Sequence, residues 1–196
     1  MTKIIGLTGG IGSGKTIVAR HIESLGIPVF IADDEAKKVL ELTEVKVKLE
    51  QIFGKEVFES GKLNTKKLAE IVFNNSIKLE QLNQIIHPLV KQDFQNWLNQ
   101  HSEFSFVVKE AAILFESGSY KDCDAIISIT APLDIRIQRV IARDKSNLES
   151  VMNRIKNQWT DEMRVAKSDY VVENVDIEKT MLKVEEILKK LSIHQK

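Results

Sequence analysis

The chain has 196 residues, enough for one sizeable hydrophobic core or for a core with an inserted lobe. Its 28 basic side chains equal its 28 acidic ones, so no global field favours nucleic acid or a membrane surface as a partner. A single cysteine excludes an internal disulfide, no Cys/His spacing is typical of a zinc site, and no segment resembles a signal peptide or a spanning helix. We therefore expect a cytoplasmic protein.

Five short apolar runs alternate with helical segments along the chain. The predicted strands are Ile4–Thr8, Val29–Ile31, Phe104–Lys109, Ala125–Ile129 and Tyr170–Val172. Helices are predicted at Lys15–Leu25 (ended by Gly26), from Pro132, after a capping box formed by Ser146 and Glu149, and at Asp176–Leu191. Strands that alternate with helices predict an α/β protein whose sheet is mostly parallel and covered on both faces.

Residues 34–100 differ from the rest because they show helical patterns and no convincing strand. Breaks are expected at Gly54, Gly61 and Pro88. The segment falls between the second and third predicted strands. We interpret it as a helical lobe inserted into one α/β core.

A glycine-rich segment follows the first predicted strand and opens the next helix. Residues 9–16 read GGIGSGKT and fit the pattern G-x-x-x-x-G-K-[ST]. Glycines let a phosphate approach the backbone, whose N–H groups form an anion nest together with the positive helix N-terminus. Predicted ATP contacts are Gly10, Ile11, Gly12, Ser13, Gly14, Lys15, Thr16 and Ile17, with the backbone N–H groups of residues 12–17 supplying most of them.

Two side chains of this segment have predicted roles of their own. Lys15 is expected to reach the β- and γ-phosphates, and the Thr16 hydroxyl is expected to bind Mg²⁺. A dinucleotide-binding fingerprint is excluded because it needs glycine or alanine where Lys15 stands. The segment therefore predicts a nucleoside triphosphate site.

Other motifs narrow the class of phosphate-loop protein. The chain has no Asp-x-x-Gly or Asn-Lys-x-Asp element, as a GTPase would need, and no Leu-Ser-Gly-Gly-Gln element, as a transporter ATPase would need. A small kinase needs a residue that handles the acceptor hydroxyl and cations that neutralise the transferring phosphoryl group. Candidates for both are present.

Asp33 follows the second predicted strand, whose carboxyl end is expected to line the ligand crevice. Its position fits a catalytic base and equally fits an N-cap of the next helix. Arg136, Arg139 and Arg143 share one face of a predicted helix. That face is either a solvated surface or a lid that closes over the phosphates of ATP.

Taken together, these elements resemble the dephospho-coenzyme A kinase family over essentially the whole chain. The similar segments are residues 6–16 (the phosphate loop), Ala32-Asp33 with Ala36 and Lys37, His87-Pro88-Leu89, Leu114-Phe115-Glu116, Arg139-x-x-x-Arg143-Asp144, and Arg154, Gln158, Asp169 and Asn174 in the order of the family's lid and closing strand.

The resemblance implies a P-loop kinase fold with a parallel five-stranded sheet flanked by helices, a coenzyme A-binding helical lobe and a lid. The implied bounds are a core of residues 1–33, 101–135 and 168–196, a lobe of 34–100 and a lid of 136–167. It also implies transfer of the γ-phosphoryl group of ATP to the ribose 3′-hydroxyl of dephospho-coenzyme A, with Mg²⁺ as cofactor. Nucleic acid and membranes are not expected as partners, and the protein is expected to be a monomer or a weak homo-oligomer.

The resemblance also assigns residue roles. Asp33, Lys15, Arg139 and Arg143 are the implied catalytic residues, and Arg143 and Asn174 are further ATP contacts. Implied acceptor contacts are Asp33, Lys37, His87, Pro88, Glu116 and Arg139. For Glu116, a role in stabilising its own loop is an equal alternative.

Three positions depart from the family pattern. Ile31 stands in place of the first acid of its Asp-Ala-Asp element, and Lys37 stands in place of an arginine, which removes the bidentate fork. Glu110 precedes two alanines where the family often has Asp-x-Pro. Glu110 is therefore the candidate that restores an acid near the metal.

Overall fold

The computed structural model describes residues 2–73 and 75–193. The first elements are β1 (Lys3–Thr8), α1 (Lys15–Ser24), β2 (Val29–Ile31), α2 (Ala32–Glu41), α3 (Thr43–Phe53), β3 (Phe58–Glu59), β4 (Lys62–Leu63), α4 (Thr65–Phe73) and α5 (Ser76–Gln100). They are followed by β5 (Phe106–Glu110), β6 (Ala125–Thr130), α6 (Leu133–Asp144), α7 (Leu148–Lys156), α8 (Asp161–Val165), β7 (Tyr170–Glu173) and α9 (Ile177–Ile193).

The main sheet has five strands in the order β2-β5-β1-β6-β7, and every adjacent pair is parallel. The predicted α/β class and five-stranded parallel sheet are therefore confirmed. The central strand, β1, has neighbours on both sides, since Leu7 pairs with Glu110 of β5 and with Ile127 of β6. The segment after β1 therefore begins at the middle of the sheet, where ligands of such folds bind.

The chain divides into two compact units, Met1–Ile31 with Leu98–Lys196 and Ala32–Trp97. The first unit holds the main sheet and the whole of the predicted lid, residues 136–167. The second unit holds α2 to α4, the β3–β4 hairpin and most of α5. Its bounds differ by two or three residues from those of the predicted lobe, 34–100.

Buried aliphatic side chains connect the sheet of the first unit to its covering helices. Leu7, Val108 and Ile127 of the central strands are fully buried, with 0% of each residue exposed. They belong to one cluster with Val18 and Ile22 of α1 and with Val184 and Leu188 of α9. Burying each such side chain stabilises the fold by about 1.5–3 kcal/mol, so the end of β1 is a rigid support.

The second unit has its own core, formed by buried residues of α2 to α5 that include Val39, Leu49, Phe53, Leu68 and Ile86. Two expectations about this segment are wrong. It contains a two-stranded hairpin, in which Ser60 and Gly61 form the turn with φ of 49° and 76°. Positive φ at both turn residues matches the right-handed twist of the flanking strands. The expectation of no strand is wrong, whereas the expected interruptions of helix at Gly54, which follows α3, and at Gly61 are confirmed.

The predicted break at Pro88 is the second error, because α5 runs through this residue for 25 residues. Proline costs a helix interior about 3 kcal/mol, since it lacks an N–H group and its ring crowds the preceding turn. Ile86, Leu89 and Val90, which flank Pro88, pack into the core of the second unit. We attribute the continuity of α5 to this burial, which offsets the local cost.

The predicted capping box is also wrong. Asn147, not Ser146, caps α7, and its side-chain oxygen accepts a hydrogen bond of 2.8 Å from the Ser150 N–H. The last helix, predicted at Asp176–Leu191, is present as α9, and Asp176 before it accepts hydrogen bonds from the N–H groups of Glu178 and Lys179. Among the described residues, none of the helices combines the length and the apolar character needed to cross a lipid bilayer.

Candidate active site

The loop between β1 and α1 has the backbone geometry that its glycines allow. Gly12 and Gly14 have φ of 81° and 91°, in the left-handed region that other residues rarely adopt. A Cβ atom at Gly12 would overlap the backbone of Arg136, and one at Gly14 would overlap the side-chain amide of Asn174. These glycines are therefore required by close packing inside the protein as well as by phosphate approach.

Asn174 supports the loop directly. Its Nδ2 donates a hydrogen bond of 2.8 Å to the carbonyl oxygen of Ser13, and its Oδ1 accepts one of 3.2 Å from the Thr180 hydroxyl. Only 2% of Asn174 is exposed. Because C=O and N–H of one peptide unit point in opposite directions, this contact also orients the Gly14 N–H. The contact of Asn174 with ATP stays a prediction.

Three of the predicted ATP contacts, Ile11, Ser13 and Ile17, make hydrogen bonds within the protein through their backbone N–H groups. The hydrogen bonds run from Ile11 to Gln158 Oε1 at 2.9 Å, from Ser13 to the Gly10 carbonyl at 3.0 Å and from Ile17 to the Gly14 carbonyl at 3.0 Å. Ser13 and Ile17 lie among residues 12–17, whose N–H groups are expected to bind phosphate, and the contacts of all three residues with ATP stay predictions. Helix α1 starts at Lys15, so its first N–H groups have no intrahelical partner and are available to an anion.

Lys15 lies at the end of the loop beside a buried carboxylate. Its Nζ is 3.6 Å from Oε1 of Glu110, the last residue of β5, and only 1% of the Glu110 side chain is exposed. Glu110, the acid predicted to lie near the metal, therefore lies next to the loop lysine. Thr16, the predicted metal ligand, is exposed in the first turn of α1.

The three arginines of α6 have different environments, which corrects the picture of one cationic face. Arg136 is 5% exposed and hydrogen-bonds to the loop and to Asp161. Arg139 carries a buried Nη1 for which the described part of the chain offers no hydrogen-bond partner, and this atom lies 3.9 Å from where a Cβ on Gly14 would be. Arg139 thus places a guanidinium nitrogen without a hydrogen-bond partner among the described residues beside the phosphate loop.

Arg143 is exposed and makes two hydrogen bonds to Asp144, of 2.7 and 3.1 Å. Arg154 donates a third, of 2.7 Å, to the same carboxylate. The hydrogen bond from Arg143 keeps the pKa of Asp144 below its usual value, and in return the pKa of Arg143 is raised. Exposed ion pairs contribute about 0–1 kcal/mol, so exchanging Asp144 for a phosphate would cost Arg143 little.

Glu116, after β5, is held inside the protein. Its Oε1 accepts a hydrogen bond of 2.7 Å from the Trp159 N–H and lies 3.5 Å from Nη2 of the buried Arg164. Phe115 and Trp159 stack with ring centroids 5.3 Å apart and nearly parallel planes. These contacts favour the loop-stabilising role of Glu116, and its contact with an acceptor stays a prediction.

The remaining predicted acceptor contacts lie in the second unit. Asp33 is the second residue of α2 and is exposed, a position inside the helix that does not fit an N-cap. Lys37 Nζ donates to Asp34 Oδ1 at 2.8 Å. His87 is half-buried in α5, and burial lowers its pKa, whereas the adjacent Pro88 is exposed. The predicted substrate contacts of Asp33, Lys37, His87 and Pro88 stay predictions.

Sequence reasoning missed the grip on Ile11. Arg136 Nε donates to the Ile11 carbonyl and Gln158 Oε1 accepts from the Ile11 N–H, both at 2.9 Å. Arg136 was assigned to a solvated face or a lid, and Gln158 was noted only for its order in the family pattern. Arg136 and Gln158 lie 125 and 147 positions after Ile11 in the sequence, and no spacing rule connects residues so far apart.

A parallel sheet, a phosphate loop leading from its central strand into a helix, a buried Lys–Glu pair and an arginine with an unused donor define a P-loop phosphotransferase of the nucleotide-kinase type. The family model described as dephospho-CoA kinase matches residues 3–179. The chain therefore belongs to the dephospho-CoA kinase family and is a kinase with ATP as co-substrate.

Individual proteins agree with this assignment. A dephospho-CoA kinase of Bacteroides fragilis strain YCH46 is 41% identical over 179 residues, which cover 91% of this chain and 87% of the relative. The structure of a dephospho-CoA kinase from Campylobacter jejuni covers 100% of both chains at 25% identity, with a TM-score of 0.70. A shikimate kinase from Acinetobacter baumannii shares the fold alone, with 17% identity, a TM-score of 0.55, and coverage of 100% of this chain and 96% of that one.

Proposed function

We propose that the chain transfers the γ-phosphoryl group of ATP to the ribose 3′-hydroxyl of dephospho-CoA and releases CoA and ADP. Family membership over residues 3–179 supports the acceptor. The observation that best supports ATP as the phosphoryl donor is the position of Lys15. This loop lysine lies beside the buried Glu110, which ends β5, the strand adjacent to β1. Such a lysine accompanies the phosphoryl group into the transition state of P-loop enzymes.

The residues that bind ATP act by positioning its phosphates and by neutralising their negative charge. The N–H groups of Gly12, Gly14, Lys15 and Thr16 bind phosphate oxygens, and the Lys15 ammonium neutralises the β- and γ-oxygens. Arg139 supplies its unused Nη1 to the transferring group, and Arg143 exchanges Asp144 for phosphate. Little covalent chemistry is required, since phosphoryl transfer is accelerated mainly by such electrostatic stabilisation.

The residues present suit Mg²⁺. Within residues 2–73 and 75–193, no group of three or more His, Cys, Asp or Glu side chains could enclose a metal. Mg²⁺ is usually bound by one or two protein oxygens together with substrate phosphates and water, so an enclosing cage is not needed. The Thr16 hydroxyl and the Glu110 carboxylate are the residues that would hold it. When bound, Mg²⁺ neutralises charge that develops on the phosphate oxygens.

On the acceptor side, Asp33 accepts the proton of the 3′-hydroxyl and orients this group for in-line attack. It follows β2 by two residues, and Ile31, the last residue of that strand, pairs with Glu110 in the sheet. Lys37, His87, Pro88 and Glu116 contribute to acceptor binding in this proposal. The balanced charge of the chain offers no general attraction to nucleic acid, which fits small-molecule partners. In this proposal the protein lies in the cytoplasm and is a monomer or weak homo-oligomer.

The Asp33→Asn variant tests the proposed chemistry. Positioned proton transfer is worth about 10²–10⁴-fold, so turnover of dephospho-CoA should fall by that factor while Mg·ATP affinity stays near the wild-type value. Glu35→Gln is the matched control, because Glu35 is another acid in the first turn of α2 and pairs with Lys38. Near-wild-type turnover of Asp33→Asn, or an equal loss in Glu35→Gln, would remove the catalytic role of Asp33.

A further inference from the structure

Side chains from two distant parts of the chain form hydrogen bonds with the backbone of Ile11 in the phosphate loop, one with its carbonyl oxygen and one with its N–H group. Arg136, in α6, donates from Nε to the Ile11 carbonyl oxygen at 2.9 Å. Gln158, which follows α7, accepts from the Ile11 N–H at 2.9 Å. Arg136 is 5% exposed, so its contact with the loop is shielded from water and correspondingly strong.

These two contacts set the directions of neighbouring peptide groups. None of the described peptide bonds is cis, and the C=O and N–H of a trans peptide point in opposite directions. By holding the Ile11 carbonyl, Arg136 therefore turns the Gly12 N–H the other way. By holding the Ile11 N–H, Gln158 turns the Gly10 carbonyl inward, where it accepts a hydrogen bond of 3.0 Å from Ser13.

Both contacts depend on the segment that leads from α7 into α8, in which Gln158 lies in the connecting turn and Asp161 is the first residue of α8. Arg136 Nη1 lies 2.6 Å from Asp161 Oδ2, and Asp161 Oδ1 lies 3.0 Å from Nη1 of Arg164. Arg136 and Arg164 are 5% and 1% exposed and the Asp161 side chain between them is 24% exposed, so this network of alternating charges is largely buried. Gln158 precedes Asp161 by three residues. A displacement of this segment therefore moves both Gln158 and the ion-pair partner of Arg136, and with them both hydrogen bonds to Ile11.

We propose that Arg136 and Gln158 are positioning residues for phosphoryl transfer, which act through the Ile11 backbone and transmit the position of the α7–α8 turn to the phosphate loop. Arg136 keeps the Gly12 N–H directed at the bound phosphates, and Gln158 keeps the Gly10–Ser13 turn closed. The inference rests on the proposed use of ATP. It adds two residues whose side chains need not touch either substrate.

Two substitutions at Arg136 separate its hydrogen bond to the loop from its ion pair. In Arg136→Gln the side-chain amide nitrogen stands the same number of bonds from Cα as the arginine Nε, so the donor to Ile11 is kept and the contact with Asp161 is lost. In Arg136→Met both are lost. A misplacement of about 1 Å can cost about 10²-fold in rate, which is the expected fall in kcat/KM for Mg·ATP in Arg136→Met.

Arg136→Gln should recover about tenfold of that loss, as expected for one restored hydrogen bond. The KM for dephospho-CoA should change little in either variant, because the perturbation lies on the donor side. Gln158→Met should reproduce the donor-side defect, whereas Asn157→Ala, at the exposed neighbouring position, should match the wild type. Mg·ATP affinity from calorimetry and the midpoint of thermal unfolding complete the measurement.

The inference is overturned if Arg136→Met retains the wild-type kcat/KM for Mg·ATP. It is also overturned if the Gln and Met variants lose activity equally, in parallel with the unfolding midpoint and with both KM values unchanged, since that pattern reports only structural damage. A wild-type protein that binds Mg·ATP but phosphorylates no dephospho-CoA would instead refute the proposed function. The calorimetric Mg·ATP affinities of the variants would still test whether the hydrogen bonds to Ile11 position the phosphate loop.

Discussion

Substituting Gly12 by alanine tests the close packing of the phosphate loop against α6. The added Cβ would stand 2.9 Å from both the Cα and the carbonyl carbon of Arg136. These are backbone atoms of a helix, so they cannot swing aside as the end of a flexible side chain would. The φ of Gly12, 81°, adds a conformational cost because an L side chain rarely adopts this region.

A control substitution in the same chain separates the conformational cost of a positive φ from the cost of the steric overlap with Arg136. Gly26, which follows α1, has φ of 82°, and no atom of the described residues lies within 4 Å of the Cβ that alanine would add there. Gly26→Ala should therefore lower the free energy of unfolding by the left-handed penalty alone, about 1–2 kcal/mol. Gly12→Ala adds overpacking of about 1–3 kcal/mol, so its total should be about 2–5 kcal/mol.

Urea unfolding followed by circular dichroism gives the two free energies, and steady-state kinetics with varied Mg·ATP gives the functional effect. We expect Gly12→Ala to be the less stable variant and to lose kcat/KM for ATP, while Gly26→Ala keeps wild-type kinetics. Equal destabilisation of the two variants, or an unchanged kcat/KM in Gly12→Ala, would refute the claim that α6 sets the shape of the loop.

Three further predictions follow from single side chains. Lys15→Ala should weaken Mg·ATP binding and reduce turnover by about 10²–10³-fold, because the ammonium neutralises charge that grows in the transition state. Normal kinetics would contradict the proposed role of Lys15 in the phosphate loop. Burial raises the pKa of the Cys123 thiol to about 11 from 9.0, so alkylation of the native protein at neutral pH should be about a hundredfold slower than that of the urea-unfolded chain, and equal rates would disprove the shift. Burial lowers the pKa of His87 below 6.5, so the folded state binds fewer protons than the unfolded chain and the free energy of unfolding should fall as the pH drops from about 7.5 to 5.5; a His87→Phe variant should show a weaker slope, and an identical slope would exclude His87 as the source.

Features specified by neighbouring residues were predictable from the sequence. The phosphate loop combines glycines, Lys15 and Thr16 in one contiguous segment, and each strand of the main sheet is a short apolar run between turn signals. Strand ends shifted by at most two residues, as for β5, which begins at Phe106 and not at Phe104. The last helix was also predictable because Met181, Val184, Ile187 and Leu188 recur at helical spacing, and these residues pack in the core of the first unit.

Features set by tertiary packing were not predictable in this way. The continuity of α5 through Pro88 depends on the burial of Ile86 and its neighbours, which a local rule for proline does not include. Arg136 was grouped with Arg139 and Arg143 by helical spacing, yet its neighbours Ile11 and Asp161 place it in the interior. Spacing identifies which residues share a face and does not identify what that face packs against.

The most direct test of the central claim is an acceptor comparison with purified protein, Mg·ATP, and dephospho-CoA, shikimate or a nucleoside monophosphate as the second substrate. Product analysis by mass spectrometry and phosphorus NMR identifies the phosphorylated hydroxyl. We predict that dephospho-CoA alone is turned over efficiently and that the new phosphate is on the ribose 3′-oxygen. Preferred phosphorylation of another acceptor, or ATP binding without transfer to dephospho-CoA, would contradict the assignment.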